Sequence, residues 1–243
     1  MLRGLCRKFP VLEPLCESRC ASCFRPVPFQ AGSGLAGPLC LACARVLVRR
    51  TGGYCSRCGE LAASAQTVPA PCGECLKTPP PWDDFFFHGV YEGLLRDLIL
   101  RFKRGHDLSL GIVLGHLLAD HPNISGKYDA VIPMPLHPRR LLDRGFNQAL
   151  EAARPLAARH GLRLAPERLV RTALRPPQTG LSLKDREKNV QGIFAASGVS
   201  GMRLLLVDDI ATTSATLRSA ATTLLREGAA TVSVAVIART PAL

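Results

Sequence analysis

The chain has 243 residues, 47% of them hydrophobic, which is enough for a packed core and too many for wholesale disorder. Lys and Arg number 31 against 19 Asp and Glu, a net charge of +12 that favours a polyanionic partner or substrate. No stretch reaches the roughly 18 uninterrupted apolar residues of a membrane span, and charge and proline interrupt the first twenty residues, so the expectation is a cytoplasmic protein without a signal peptide.

All ten cysteines lie in the first 75 residues, and eight of them form four C-x-x-C pairs. In a reducing compartment such pairs suit tetrahedral zinc better than stable disulfides, because the two-residue spacing lets two thiolates converge on one metal. Sixteen residues separate Cys23 from Cys40 and thirteen separate Cys58 from Cys72, spacings that fit short ribbon hairpins. Sequential pairing places Cys20, Cys23, Cys40 and Cys43 at one zinc and Cys55, Cys58, Cys72 and Cys75 at a second. A crossed pairing satisfies the same spacing. Redox chemistry competes with this reading but normally uses one pair, not four in series. Four thiolates leave no open position for a substrate water, so the zinc is read as structural. It supplies folding energy that a segment poor in large apolar residues lacks. Cys6 and Cys16 lack ligand spacing. Residues 1–81 carry ten Lys/Arg and four Asp/Glu, consistent with nucleic-acid binding or with a solvated basic surface.

Residues 1–78 are therefore assigned to a Cys-rich double zinc ribbon and residues 79–84, with three consecutive prolines, to a stiff linker. Residues 85–243 form the second domain. The patterning predicts a strand over 85–91, helices over 93–102 and 108–119, and a strand over 128–134. A loop and a helix over 147–160 follow, then a buried strand over 203–208, a helix over 213–227 ending at Gly228, and a strand over 231–237. Strands separated by helices imply right-handed βαβ units, a parallel sheet with helices on both faces, and a ligand site at the carboxyl ends of the strands.

The most informative stretch is LLLVDDIATTSAT, residues 204–216: an apolar strand, two acids, then a hydroxyl-rich turn into a helix. Asp208 and Asp209, the candidate catalytic pair, can accept hydrogen bonds from vicinal ribose hydroxyls. Ala211, Thr212, Thr213, Ser214, Ala215 and Thr216 offer hydroxyls and free helix N–H groups to a phosphate. Helix capping alone needs one such residue, not two acids and four hydroxyls. Upstream, Pro135, Leu136, His137, Arg139, Arg140 and Arg144 read as a diphosphate-binding loop, since guanidinium groups grip phosphate oxygens bidentately. A solvated basic face is the plainer alternative. His137 can shuttle a proton or serve as a hydrogen-bonding strut, and Asn147 and Gln148 can cap and pack the next helix. Lys103 is a further phosphate-contact candidate. The polar, turn-rich stretch 171–189, with Gln178, Thr179, Arg186 and Asn189, is long enough for a lid that excludes water.

The stretch 204–216 resembles the phosphoribosyl-diphosphate signature of type I phosphoribosyltransferases, V-D-D-V-x-T-T-G-x-T. Ser214 stands where that pattern has glycine, and a positive φ there costs serine more than glycine. VIPMPLHPRRLLDRGFNQ at 131–148, PQTGL at 177–181 and REKNVQGIF at 186–194 resemble segments of the ComF (GntX-like) family, as does the Cys-rich layout. The resemblance covers residues 20–239. It implies a type I phosphoribosyltransferase-like α/β domain, phosphoribosyl diphosphate with Mg2+ as ligand, and transfer of the phosphoribosyl group to an unidentified acceptor. It also implies a role in DNA uptake, natural competence or DNA utilisation beside helicase-like and DNA-processing partners. The alternative expectation is a non-catalytic, ligand-sensing adaptor on single-stranded DNA. The net charge suits this, although aromatic stacking platforms are sparse at 5%.

Overall fold

The computed structural model describes residues 18–27, 39–105, 107–124, 127–172 and 193–241. Its centre is a five-stranded, all-parallel sheet of β3 (Phe85–Val90), β9 (Thr231–Arg239), β8 (Arg203–Ala211), β4 (Ala130–Pro133) and β5 (Arg163–Leu164), in that spatial order. Around it stand α3 (Gly93–Arg104), α4 (Leu108–Ala119), α5 (Pro138–Arg144), α6 (Gln148–His160) and α7 (Ala215–Arg226). A short antiparallel pair, β6 (Leu169–Arg171) with β7 (Phe194–Ala196), lies outside the main sheet. The amino-terminal segment contributes the antiparallel β1 (Ser18–Arg19) and β2 (Pro26–Val27) and the helices α1 (Leu41–Val46) and α2 (Gly73–Lys77).

The strands are apolar almost throughout because both faces are covered, and successive side chains go to opposite layers. Ile132, Leu204, Leu206, Val234 and Val236 face α7, whose Leu217, Ala220, Ala221 and Leu224 fill that layer. Val131, Leu205, Val207 and Ala235 face the other way, onto Leu118, Ala153 and Leu156 of α4 and α6. The α4–α6 contact is close: a Cβ at Gly115 would stand 2.5 Å from the Ala152 carbonyl oxygen. Leu95, Leu98, Ile99 and Phe102 of α3 complete this layer, with Leu47 of the Cys-rich segment among them.

Most of the expected elements are present, with three differences. The arginines placed in a loop after β4 lie on α5, started by Pro138 at its first turn and ended by Gly145 in the left-handed region at φ 77°. Strand β8 runs to Ala211 rather than stopping at Asp208, because its register with β9 continues through Ala211 opposite Arg239. The short strands β5, β6 and β7 carry too few residues to show a period. Gln178, Thr179, Arg186 and Asn189, like Cys6 and Cys16, lie outside the described residues.

Candidate functional site

Strand order reverses at β4: β5 follows on one side and β8 joins on the other. In open α/β sheets that switch point opens a crevice at the carboxyl ends of the strands. Here it holds a cleft of about 230 Å³ lined by the loop after β4, the end of β8 and the start of α7. Met134 N donates to Val207 O at 2.7 Å, bringing the Met134–Leu136 turn beside the acid pair. Asn147 holds that turn from below: its Nδ2 donates to Met134 O at 3.1 Å while its Oδ1 caps α6 at Ala149 N and Leu150 N. A more open hollow of about 540 Å³ lies where α4 and α6 return the chain to the amino ends of β4 and β5. Its polar rings are already engaged, His160 Nε2 with Ala119 O at 2.9 Å and His121 Nδ1 with Asn123 N at 3.3 Å.

Asp208 and Asp209 are consecutive strand residues that both border the cleft. Asp209 N donates to Asp208 Oδ1 at 2.8 Å. Asp209 forms an ion pair with Lys103 at the end of α3, Oδ2 to Nζ at 2.9 Å. Burial and the neighbouring Asp209 charge push the Asp208 carboxyl up to about 8, against the opposing Asp209 N–H and the charges of Lys103 and Arg171. One acid is thus ion-paired, while its neighbour holds its proton more tightly than an ordinary carboxyl does.

The turn from β8 into α7 forms one wall of the cleft. Ser214 adopts a left-handed conformation, φ 60° and ψ 8°, and caps α7 without a side-chain bond to the backbone. It is only 6% exposed, its hydroxyl has no partner among the described residues, and it borders the cleft. A strained backbone with a buried, unsatisfied hydroxyl is costly unless a ligand completes it. Ala211, Thr212, Ala215 and Thr216 share this wall, whereas exposed Thr213 does not border the cleft.

Opposite are the cations. Arg140 and Arg144 of α5, Lys103 and Arg171 all line the cleft, with Pro135 and Leu136. His137 and Arg139, expected in the diphosphate group, do not line it. His137 is a strut, its Nδ1 accepting from Arg139 N at 3.1 Å to cap α5, and the Arg139 side chain is exposed. Desolvation and the adjacent Arg171, Arg139 and Arg140 lower the His137 pKa. Arg171 and Gln148 were not among the expected ligand contacts. Arg171 is desolvated and close enough to Arg140 for its pKa to fall, and its Nε has no partner among the described residues. Gln148, 2% exposed, accepts from Arg144 Nη1 at 2.7 Å, and its Nε2, beside the cleft, has no partner among the described residues. The signal for Arg171 was its place as the first residue of the proposed lid; for Gln148 it was only its place at the start of a helix.

The cysteines gather in two sets, Cys20–Cys23–Cys40–Cys43 and Cys55–Cys58–Cys72–Cys75, each with its sulfurs within 4.8 Å of one another. The sequential pairing is the one adopted. Sγ–Sγ separations of 3.7 Å for Cys23–Cys40 and 3.9 Å for Cys58–Cys72 match the roughly 3.8 Å edge of a tetrahedron built on Zn–S bonds of about 2.3 Å. Cys72 N and Arg57 N donate to Cys55 Sγ at 3.2 and 3.4 Å. Burial opposes thiolate formation at Cys20 and Cys55, yet the backbone donors bring them down to about 6 and about 7. Both sets fit a metal ion, and zinc is compatible with their donor chemistry.

Residues 153–243 match the family model of the phosphoribosyl transferase domain. The chain is 34% identical over 220 residues to "DNA utilization protein YhgH" of Escherichia coli, covering 83% of this chain and 97% of that protein. It is 32% identical over 212 residues to "Competence protein F" of Haemophilus influenzae, covering 83% and 90%. With "Competence protein ComFC" of Bacillus subtilis it shares 28% over 203 residues, covering 79% and 80%. A parallel sheet with an acid pair and a hydroxyl-rich strand-to-helix turn at its switch point, two four-cysteine centres and these relatives lead to one conclusion: the chain belongs to the ComF family.

Proposed function

We propose that the cleft binds phosphoribosyl diphosphate and that the protein transfers the phosphoribosyl group to an acceptor. The observation that carries this reading is Ser214, whose strained backbone and unpartnered hydroxyl open the α7 N-terminus to an anion across from the acid pair. The 5′-phosphate accepts from the first N–H groups of α7, Thr212 and Ser214. Asp208 and Asp209 accept from the two ribose hydroxyls, and Arg140, Arg144 and Arg171 grip the diphosphate. The bond from the anomeric carbon to the diphosphate oxygen breaks, the electron pair leaving with diphosphate. The acceptor's lone pair then forms the new bond at that carbon. The chain contributes position and charge stabilisation, not a covalent nucleophile. Magnesium, when bound with the ligand, neutralises part of the diphosphate charge. Zinc is the metal we assign to the two cysteine centres, with a structural role, and we take residues 1–78, 79–84 and 85–243 as ribbon, linker and transferase units.

The relatives' names support a role in DNA utilisation or competence; helicase-like and DNA-processing proteins are the partners we propose for that role. A second reading, a sensor that holds the ligand and binds single-stranded DNA without transfer, is favoured by Arg139, which lies outside the cleft and exposed on α5. Incubation of metal-loaded protein with labelled phosphoribosyl diphosphate, magnesium and candidate acceptors tests the first reading through release of diphosphate. Ligand binding by calorimetry with no release for any acceptor, together with salt-dependent DNA binding, favours the second. Absence of ligand binding overturns both.

A further inference from the structure

The second cysteine centre is tied to the anion-binding turn through two side chains. Glu60 belongs to the knuckle itself: its carbonyl accepts from Cys55 N at 2.7 Å. The preceding residue, Gly59, has φ +71° and packs so closely that a Cβ there would lie 2.4 Å from Phe85 Cε1, seating the knuckle against β3. From this anchored turn the Glu60 carboxylate forms an ion pair with Arg239, the last residue of β9. Arg239 is 5% exposed, and its Nη1 donates to Ala211 O at 3.1 Å. Ala211 ends β8 and opens the turn to Ser214, and its carbonyl also accepts from Thr240 N at 3.0 Å.

We infer that Arg239 is a positioning residue that couples metal occupancy of the Cys55–Cys58–Cys72–Cys75 centre to anion binding at the α7 N-terminus. A metal at the four sulfurs fixes the turn that carries Glu60. Glu60 in turn fixes a buried guanidinium that has no other carboxylate within ion-pair distance among the described residues. Such a charge is costly to leave uncompensated, so release of the knuckle disturbs Arg239 and with it the Ala211 carbonyl. The inference rests on the placement of the 5′-phosphate at that turn. Because coupling between binding sites is reciprocal, the ligand must tighten the metal by the factor with which the metal tightens the ligand.

The test uses the full chain loaded with zinc, equilibrium competition against a chromophoric chelator, and ribose 5-phosphate as probe. We expect saturating ribose 5-phosphate to raise the zinc affinity of one of the two centres roughly tenfold, within the usual span of coupling between sites. Glu60→Gln, which keeps the side-chain size and one hydrogen bond, should abolish that difference and weaken ribose 5-phosphate by a similar factor while retaining zinc. Equal tightening of both centres that persists in Glu60→Gln overturns the coupling, since it reports general stabilisation. Binding of ribose 5-phosphate to the unmodified protein with no change in either zinc affinity overturns the coupling alone. Failure of ribose 5-phosphate to bind at all overturns both the pocket assignment and the coupling.

Discussion

Lys103 Nζ lies 2.9 Å from Asp209 Oδ2, so a cation from the end of α3 reaches across the crevice to an acid on β8. Lys103 and Asp209 side chains are 21% and 13% exposed, which shields the pair from full solvent screening. The pair makes the two acids unequal. Asp209 is already partnered, and the Asp208 carboxyl is pushed up because two adjacent carboxylates cannot both lose their protons at low cost.

That inequality predicts a pH dependence of binding. Ribose hydroxyls donate more strongly to an ionised carboxylate, and Asp208 ionises as pH rises through about 8. Ribose 5-phosphate affinity should therefore rise between pH 7 and pH 9, where the phosphate charge, with a pKa near ~6, is already constant. Calorimetry across this range should show the slope vanish in Asp208→Asn. A slope that survives the substitution removes Asp208 from the contact. Asp209→Asn should cost roughly tenfold or more in affinity at pH 7, the loss of one charged acceptor.

Stability should respond in the opposite sense. A carboxyl raised from its ordinary value of 3.8 to about 8 favours the folded state most below the ordinary value, and that contribution disappears as pH rises through 8. Asp208→Asn should thus show a Tm advantage over the unmodified chain that grows from pH 4 to pH 8 and then levels. Each kcal/mol corresponds to about 2–4 °C for a chain of this size. Thermal scans at four pH values check it, and a pH-independent difference contradicts the raised carboxyl.

Ser214 separates backbone from hydroxyl. Its φ of 60° costs an L-residue roughly 1–2 kcal/mol, part of which Ser214→Gly recovers. Ser214→Ala keeps the strain and removes the unpartnered hydroxyl, so unliganded stability should hold or rise while ribose 5-phosphate binding weakens by roughly threefold to tenfold. Denaturant midpoints and calorimetry on both variants distinguish the two effects. Equal affinity in Ser214→Ala and the unmodified protein shows that the hydroxyl does not face the ligand.

The arginines divide by position. Arg171→Met or Arg144→Ala, both at cleft-lining positions, should weaken phosphoribosyl diphosphate far more than ribose 5-phosphate, because only the former carries the diphosphate we propose they grip. Arg139→Ala should leave both affinities within about twofold, since that side chain lies outside the cleft. A uniform loss across the three variants would point to a diffuse basic field instead.

Metal content gives an independent check. Elemental analysis of protein purified without added metal should find close to two zinc per chain, one for each cysteine set. Cys20→Ser and Cys55→Ser should each lose about one and become more sensitive to proteolysis. Zinc-free protein that resists proteolysis equally well contradicts a structural metal.

Local chemistry was legible without any fold. C-x-x-C spacing announces converging thiolates, and VDD followed by TTSAT announces acids and hydroxyls around a strand-to-helix turn, because each depends on residues a few positions apart. The helix over 108–119 and the parallel sheet were equally plain, since doubly buried strands and an apolar helix impose their own patterns. Three-dimensional packing settled what crosses distance in the chain. Sequential rather than crossed cysteine sets depend on which knuckle packs against α3 and which against β3. Arg171 enters the cleft because β6 pairs with β7, and Arg139 leaves it because Pro138 and His137 start a helix that turns it outward. Arg239 reads as an ordinary strand terminus until Glu60, 179 residues earlier, folds against it. No periodicity encodes such a contact, because it depends on how two segments far apart in the chain pack together.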